Sequence, residues 1–312
     1  MLYSTACVIN NFNYCCFLSE AIDSVLVQTV PFDQIVIVDD CSTDGSQDFL
    51  KEHYSNNDKI RFIFKERNGG QLSTFNEVLS VTTADIIFFL DADDRYKPTY
   101  LFEAMRYYEN NSSCDFLFCG INFFGDTTGS ELRYGGDCDL GCSRIIALYG
   151  KKGEAYIGAA TSTLSMKREI AQRLLPIPYT EDWRSRADDC LVLGASIVGA
   201  RKHYLAKCLV EYRLHSSNIF ARRKFTPIDR YFREIALKKL FCYLVKKQDI
   251  DTDLVEIIHL EFRTIPLPTC RQFKSYLKIS LCADIGPVKK IKSLISIIRH
   301  YACVRLNKRG IK

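Results

Sequence analysis

No uncharged apolar stretch of this chain approaches the ~18 residues that a bilayer-spanning helix needs, and the Cys190–Ala200 run is too short. Near the start there is neither a basic n-region nor an apolar h-region of signal-peptide length before the strand-like Ala6-Cys7-Val8-Ile9. The fourteen cysteines contain no CxxC pair, so zinc-ligand spacing is missing. Several lie in apolar runs (Cys7, Cys119, Cys190, Cys208), where a free thiol packs as a small hydrophobe. The expectation is a reduced, cytoplasmic protein. Glycine is missing from the first strand-to-helix turn, Ile9-Asn10-Asn11-Phe12-Asn13-Tyr14. Dinucleotide sites need glycines there so that the backbone can approach a pyrophosphate. That absence argues against a dehydrogenase, and equally against a sugar-nucleotide pyrophosphorylase.

What is present is an ordinary folded composition, 47% hydrophobic and 25% charged over 312 residues. The net charge of +5 is unevenly spread. From Arg222 onward there are 21 Lys/Arg against 8 Asp/Glu, and before it 21 against 29. An acidic body with a basic tail points the tail at anionic phosphate, on lipid or nucleic acid. No interleaved aromatic pattern supports nucleic acid, so none is expected as a partner.

The first half alternates strands and helices. Strands are expected at 5–9, 34–38, 60–64 and 85–90, with helices at 16–28, after the Ser42-Thr43-Asp44 cap, and from Gln71 to Val81. Ile86-Ile87-Phe88-Phe89-Leu90 is apolar throughout, as in a strand buried on both faces. This rhythm predicts an α/β fold with a doubly wound, mostly parallel sheet flanked by helices. The stretch 115–220 is less regular, with a glycine-rich excursion at 125–141. Residues 221–312 read as a helical, basic C-terminal region. In 288–305, Ile291, Leu294, Ile295, Ile298, Tyr301 and Ala302 line one face, opposite Lys289, Lys292, Ser293, Ser296 and Arg299. Such a helix either packs on the core or lies in the headgroups of an anionic membrane.

The strongest chemical feature is Asp91-Ala92-Asp93-Asp94 at the end of the fourth strand. Ligands of open α/β sheets bind at the carboxyl ends of strands. Carboxylates crowded there call for a cation, and Mg²⁺ or Mn²⁺ completed by substrate phosphates fits. Bound to a diphosphate, the ion neutralises charge building on a leaving group. A solvated turn is the alternative. Asp39-Asp40 ends the second strand, where an acid can meet a nucleotide's ribose or base.

The chain resembles the family 2 glycosyltransferases in five stretches that occur in the family's order. They are Val8-Ile9-Asn10-Asn11-Phe12-Asn13, Ser24-Val25-Leu26-Val27-Gln28-Thr29, Val38-Asp39-Asp40-Cys41-Ser42-Thr43-Asp44-Gly45-Ser46, Asn68-Gly69-Gly70-Gln71, and Phe89-Leu90-Asp91-Ala92-Asp93-Asp94. The resemblance covers about residues 4–220. It implies a GT-A catalytic domain over 1–220, nucleotide-sugar binding in 1–110 and the acceptor side in 111–220. It places Asn10 and Phe12 by the nucleoside, Asp40 at the base with Asp39 beside it, and Asp91, Asp93 and Asp94 at metal and diphosphate. Phe12 replaces the family's frequent Tyr, removing one hydroxyl contact. The family's general base matches Asp189 in Arg186-Ala187-Asp188-Asp189, with Asp188 where Glu is commoner. That base would deprotonate an acceptor hydroxyl as it attacks the anomeric carbon opposite the diphosphate, inverting the configuration. His215, in the stretch Tyr212 to Asn218, would approach the metal or diphosphate, with Arg213 as a phosphate partner. Trp183, the only tryptophan, either stacks on a sugar or packs in the core.

The QxxRW motif of processive synthases is absent, which favours addition of a single sugar. The implied donor is a UDP-sugar, since an Asp at position 40 can accept the uracil imide proton, with dTDP and GDP as the alternative nucleotides. The implied acceptor is a glycan or polyprenyl-linked sugar in surface-polysaccharide synthesis, at the inner face of the membrane. A protein or soluble acceptor, and a non-catalytic sugar-nucleotide-binding module, are the competing readings.

Overall fold

The computed structural model describes residues 2–216 and 226–309. Its strands are β1 (Thr5–Asn11), β2 (Gln34–Asp39), β3 (Ile60–Phe64), β4 (Ile86–Asp91), β5 (Arg95–Tyr96), β6 (Phe116–Gly125), β7 (Gly129–Glu131), β8 (Cys138–Gly141), β9 (Leu164–Lys167) and β10 (Lys202–Leu214). Helices of the first half are α1 (Cys15–Leu26), α2 (Ser46–Tyr54), α3 (Gln71–Asn76), α4 (Val78–Val81) and α5 (Tyr100–Asn110). Then come α6 (Arg144–Tyr149), α7 (Lys152–Ala155), α8 (Arg168–Leu174), α9 (Asp188–Ile197), α10 (Pro227–Lys247), α11 (Ile258–Arg263), α12 (Cys270–Cys282) and α13 (Pro287–Arg309).

One mixed, mostly parallel sheet runs β3-β2-β1-β4-β9-β6-β10-β5. The chain moves outward from β1 through β2 and β3, then returns to place β4 on the other side of β1. That reversal opens a crevice at the carboxyl ends of β1, β2 and β4, where ligands of such sheets bind. β4 is buried on both faces from Ile86 to Leu90, which is why it reads as an unbroken apolar run. β9 enters antiparallel between β4 and β6. The long β10 pairs with β6, shifting register between Leu205 and Val210, and its far end also pairs with β5. This carries the residues after β10 back to the end of β4. The glycine-rich excursion forms two short strands, β7 and β8, rather than a plain loop. The helix expected over 71–81 divides at Glu77 into α3 and α4.

The boundary expected between 220 and 221 lies outside the described residues. The helical C-terminal region shares the catalytic body's core. Leu240, Leu244, Ile258, Phe262, Tyr276 and Ile297 belong to one apolar cluster with α6 and α9. Buried Glu261 of α11 accepts from the Ile145 and Ile146 amides (2.7 and 3.1 Å) and from Tyr276 Oη (2.8 Å). It thereby satisfies orphan donors at the start of α6. In α13 the core-facing residues are Ser293 and Ile297, flanked by half-buried Leu294 and Tyr301. The face expected as one apolar side is therefore split, and Ile291, Ile295 and Ile298 turn outward. No helix among the described residues is long and apolar enough to cross a membrane. All fourteen cysteines are free thiols.

Candidate active site

A cavity of about 400 Å³ opens at the carboxyl ends of β1, β2 and β4. Asn10, Phe12, Asp40, Gly70, Asp91 and Asp93 are among the residues that line it. Phe12 presents an exposed ring, a flat wall of the kind on which a nucleobase stacks. Two loops that form this wall are tied together. Ser42 Oγ accepts from Asn13 N (2.9 Å) and Asn11 Nδ2 (3.2 Å), and Asn13 Oδ1 accepts from Thr43 N (2.8 Å).

The two acids at the end of β2 separate in role. Asp40 lies at the cavity and accepts from Gly69 N (3.0 Å) and Gly70 N (2.6 Å), with Lys65 Nζ at 2.9 Å. It therefore also clamps the Asn68-Gly69-Gly70 turn. Asp39 is fully buried behind the cavity, bonded to Asn11 Nδ2, Ser42 N and Gln47 Nε2. The structure thus uses Asp39 as scaffold and does not bring it to the cavity. Gly70 is needed on two counts: its φ is +80°, and a Cβ there would run into Arg184 Cα.

The aspartate triplet likewise divides. Asp91 and Asp93 line the cavity. Asn10 Nδ2 (2.6 Å) and Gln71 Nε2 (3.0 Å) both donate to Asp91 Oδ1, fixing its carboxylate. Asp94 is buried beneath, accepting from Ser162 Oγ (2.6 Å) and Arg213 N (2.8 Å). Burial, and then the charge of Asp93, push the Asp91 carboxyl up to about 7. Asp93 and Asp94 are also raised by burial, Asp94 further by both neighbouring carboxylates. Such mutual strain is what a bound cation would relieve. Among the described residues no three His, Cys, Asp or Glu groups converge closely enough to hold an ion alone. Two cavity-facing carboxylates suit an ion whose remaining ligands are water and phosphate. Asp91 and Asp93 fit that role, and Asp94 is committed to the fold.

His215 follows β10 directly: its Nε2 lies 3.1 Å from Asp93 Oδ2, and its ring packs against Phe17 and Tyr14. Arg213 does not turn to the cavity. Its guanidinium is held between Phe17 and Phe124, 2.9 Å from Glu20, and its Nε donates to Asp93 O. It braces the aspartate loop instead of offering a phosphate contact.

In the acid pair that opens α9, the member named from sequence, Asp189, is fully buried. Its Oδ2 accepts from Arg233 Nη2 of α10 at 2.6 Å, and Oδ1 stands 3.5 Å from Arg186 Nη2. Arg233 lies over the ring of Trp183 (4.0 Å), so Trp183 is a buried platform for that arginine and not for a sugar. Asp188 is half-buried and accepts from Tyr156 Oη at 2.9 Å. Burial and the charge of Asp189 raise its carboxyl to about 6. Gln71 links the two halves, since its Oε1 accepts from Ala187 N (2.9 Å) while its Nε2 reaches Asp91. Sequence reasoning gave no role to Gln71, Lys65 or Arg184. Gln71 stood inside a recognised stretch, but Lys65 and Arg184 carry no local signal.

A mostly parallel sheet with a switch-point crevice, two orienting amides and two cavity-facing aspartates is the architecture of a GT-A glycosyltransferase fold. The profile of glycosyl transferase family 2 matches residues 6–189, and the chain belongs to that family. It is 33% identical over 214 residues to an uncharacterized glycosyltransferase of Nostoc, covering 68% of this chain and 65% of that one, just under two thirds. It is 26% identical to TuaG of Bacillus subtilis, named for teichuronic acid biosynthesis, covering 66% of this chain and 77% of TuaG. Staphylococcus aureus TarS 1–349 in complex with UDP-GlcNAc superposes with a TM-score of 0.60 at 14% identity, over 99% of this chain and 92% of TarS 1–349.

Proposed function

We propose that this glycosyltransferase moves one sugar from a UDP-sugar to an acceptor hydroxyl in a surface glycan, with inversion. The observation that carries this reading is the cavity that joins Phe12 and Asp40 to Asp91 and Asp93. Phe12 would stack on the base, and Asp40 would accept the uracil imide proton. Asn10 and Gln71 hold Asp91 in place. A divalent ion, Mg²⁺ or Mn²⁺, held by Asp91 and Asp93 would supply charge neutralisation at the diphosphate leaving group. His215 restrains Asp93 from the opposite side. TuaG's name and the UDP-GlcNAc bound to TarS support the pathway and donor assignments.

The base comes from the Asp188–Asp189 pair, across the site from the aspartate loop. By the family resemblance it is Asp189, which then acts only when its pairing with Arg233 opens. One observation favours Asp188: it is the member in contact with solvent, and its raised pKa suits a base near neutral pH. Asp188→Asn and Asp189→Asn separate the two, because only loss of the base removes turnover while leaving nucleotide affinity intact. Calorimetric titration of UDP, dTDP and GDP, with Mn²⁺ or EDTA and with Asp93→Ala alongside, tests the donor site. Metal-dependent binding of UDP, weakened at least tenfold in Asp93→Ala, is expected. Folded protein that binds none of the three would refute the reading.

A further inference from the structure

We propose that α13 docks this protein on an anionic bilayer, lying in the headgroup plane with its isoleucine stripe down. The inference concerns a surface remote from the donor cavity and does not rest on the reaction assigned above. Val288, Ile291, Ile295, Ile298 and Leu306 are each at least half exposed, and with Ala302 they recur at the spacing of one helix face. The opposite face is already occupied. Ile297 and Ser293 are buried against the body, with Ser293 Oγ 3.1 Å from Ser280 Oγ. The outward stripe is therefore a second apolar face that folding leaves in water, and contiguous exposed apolar surface of this kind marks an interaction site.

Charge says what covers it. α13 contains seven Lys/Arg and no Asp/Glu. Lys292 and Arg299 stand at one edge of the stripe, beside a groove of about 530 Å³ that they line with Arg263, Ser296 and His300. Arg263 belongs to α11, so the groove is basic on both walls. On the stripe's other edge the helix carries exposed Arg305. An apolar strip rimmed by cations matches a leaflet of anionic lipids, with isoleucines at the acyl boundary and phosphates on the basic rims. A second copy of this chain fits poorly. A two-fold contact through the stripe would oppose Lys292 and Arg299 to the same residues of the partner, juxtaposing like charges.

The test is vesicle co-sedimentation of the full chain with phosphatidylcholine, with and without phosphatidylglycerol. It compares wild type, Ile291→Ser/Ile295→Ser/Ile298→Ser and Lys292→Glu/Arg299→Glu. All five positions are surface positions, and circular dichroism with light scattering checks fold and oligomeric state. Wild type is expected to pellet with phosphatidylglycerol vesicles and at least tenfold less with pure phosphatidylcholine. Each Lys or Arg at a membrane surface is worth about fivefold in partitioning, so the charge-reversed variant should lose at least ~25-fold. The serine variant should lose at least tenfold. Wild type that ignores anionic vesicles, or binding indifferent to either set of substitutions, overturns the proposal. So does a wild-type dimer that the serine variant converts to monomer without any vesicle binding, which would make the stripe an interface between copies.

Discussion

Removing Arg233 should destabilise the whole molecule, because it strands the one fully buried carboxylate of the acid pair. Arg233 Nη2 donates to Asp189 Oδ2 at 2.6 Å and to Arg186 O at 3.1 Å, with its guanidinium against Trp183. Asp189 is wholly buried and the Arg233 side chain is 14% exposed, so solvent screens the pair little. Breaking a buried pair from one side costs about 3–5 kcal/mol. Arg186, 3.5 Å from the other oxygen and more exposed, remains to compensate in part. Arg233→Met keeps the aliphatic stem over Trp183, so the loss should fall near the low end, about 3 kcal/mol. Asp189→Asn leaves the arginine its contacts with Arg186 O and Trp183, and should cost about half as much. The double variant should recover part of the sum, with a coupling of about 2 kcal/mol, because no uncompensated charge remains. Urea unfolding followed through the fluorescence of Trp183 reads this directly, since Arg233 lies on the only indole in the chain. A thermal midpoint lower by roughly 6 °C for Arg233→Met is expected at ~2 °C per kcal/mol for a chain of this size. Stability of Arg233→Met within ~0.5 kcal/mol of wild type, or additive single variants, would refute the argument.

Other positions give sharper functional readouts. Gly70→Ala combines a left-handed backbone with a collision against Arg184, and should weaken UDP binding at least tenfold while costing about 2 kcal/mol of stability, measured by calorimetry and denaturation. Asp188 holds its proton more tightly in the folded protein, to about 6, than an ordinary carboxyl near ~4. Between those values the folded state therefore binds more protons than the unfolded, so this residue's contribution falls as pH rises from about 4 through about 6. Asp188→Asn should in consequence raise stability at pH 7.5 by about 1 kcal/mol while flattening that trend, and if Asp188 is the base it abolishes turnover. Glu261→Ala leaves two amides of α6 and the Tyr276 hydroxyl without their acceptor. A loss of about 3 kcal/mol, and faster hydrogen exchange in α6 and α11 together, is expected, and exchange confined to α11 would speak against it.

Most of the residues that line the cavity were legible because their signals are local. An apolar strand that ends in acids, a polar turn and a glycine pair each specify their own geometry, and the sheet topology then brings them to one crevice. Within those motifs the sequence does not distinguish a cavity-facing acid from a structural one. Asp39 and Asp40 are adjacent, yet alternation along the end of β2 puts one behind the sheet and one at the cavity. Asp94 follows Asp93 in the same way, but Ser162 and the Arg213 amide claim it from 68 and 119 residues away. Such partners cannot be read from a local window.

The same reasoning explains why the surroundings of the acid pair were harder to read, and it bears on how the C-terminal helices matter. The acid pair opens α9 as its sequence suggests, but its electrostatics depend on Arg233, 44 residues further on. That arginine sits in a region whose bulk charge points at an anionic surface. Most of its basic residues do face outward, whereas Arg233 faces in and neutralises a carboxylate of the catalytic body. α10 is thus tied to the rest of the body by two ion pairs, Arg233 with Asp189 and Lys239 with Asp182, while α11 is tied to α6 through Glu261 and α13 keeps its basic rim in solvent. Anything that shifts α10 relative to α9 must change the charge around Asp189 and, through it, that felt by Asp188, whose ionisation the Asp189 charge makes costlier. α13 packs on α11, α11 on α6 and α6 on α9, so a continuous packed path joins the proposed docking helix to the helix that carries the acid pair. If that path transmits force, turnover should respond to anionic vesicles even with a soluble acceptor, and Glu261→Gln, which weakens the α11–α6 tie, should diminish the response without changing vesicle binding.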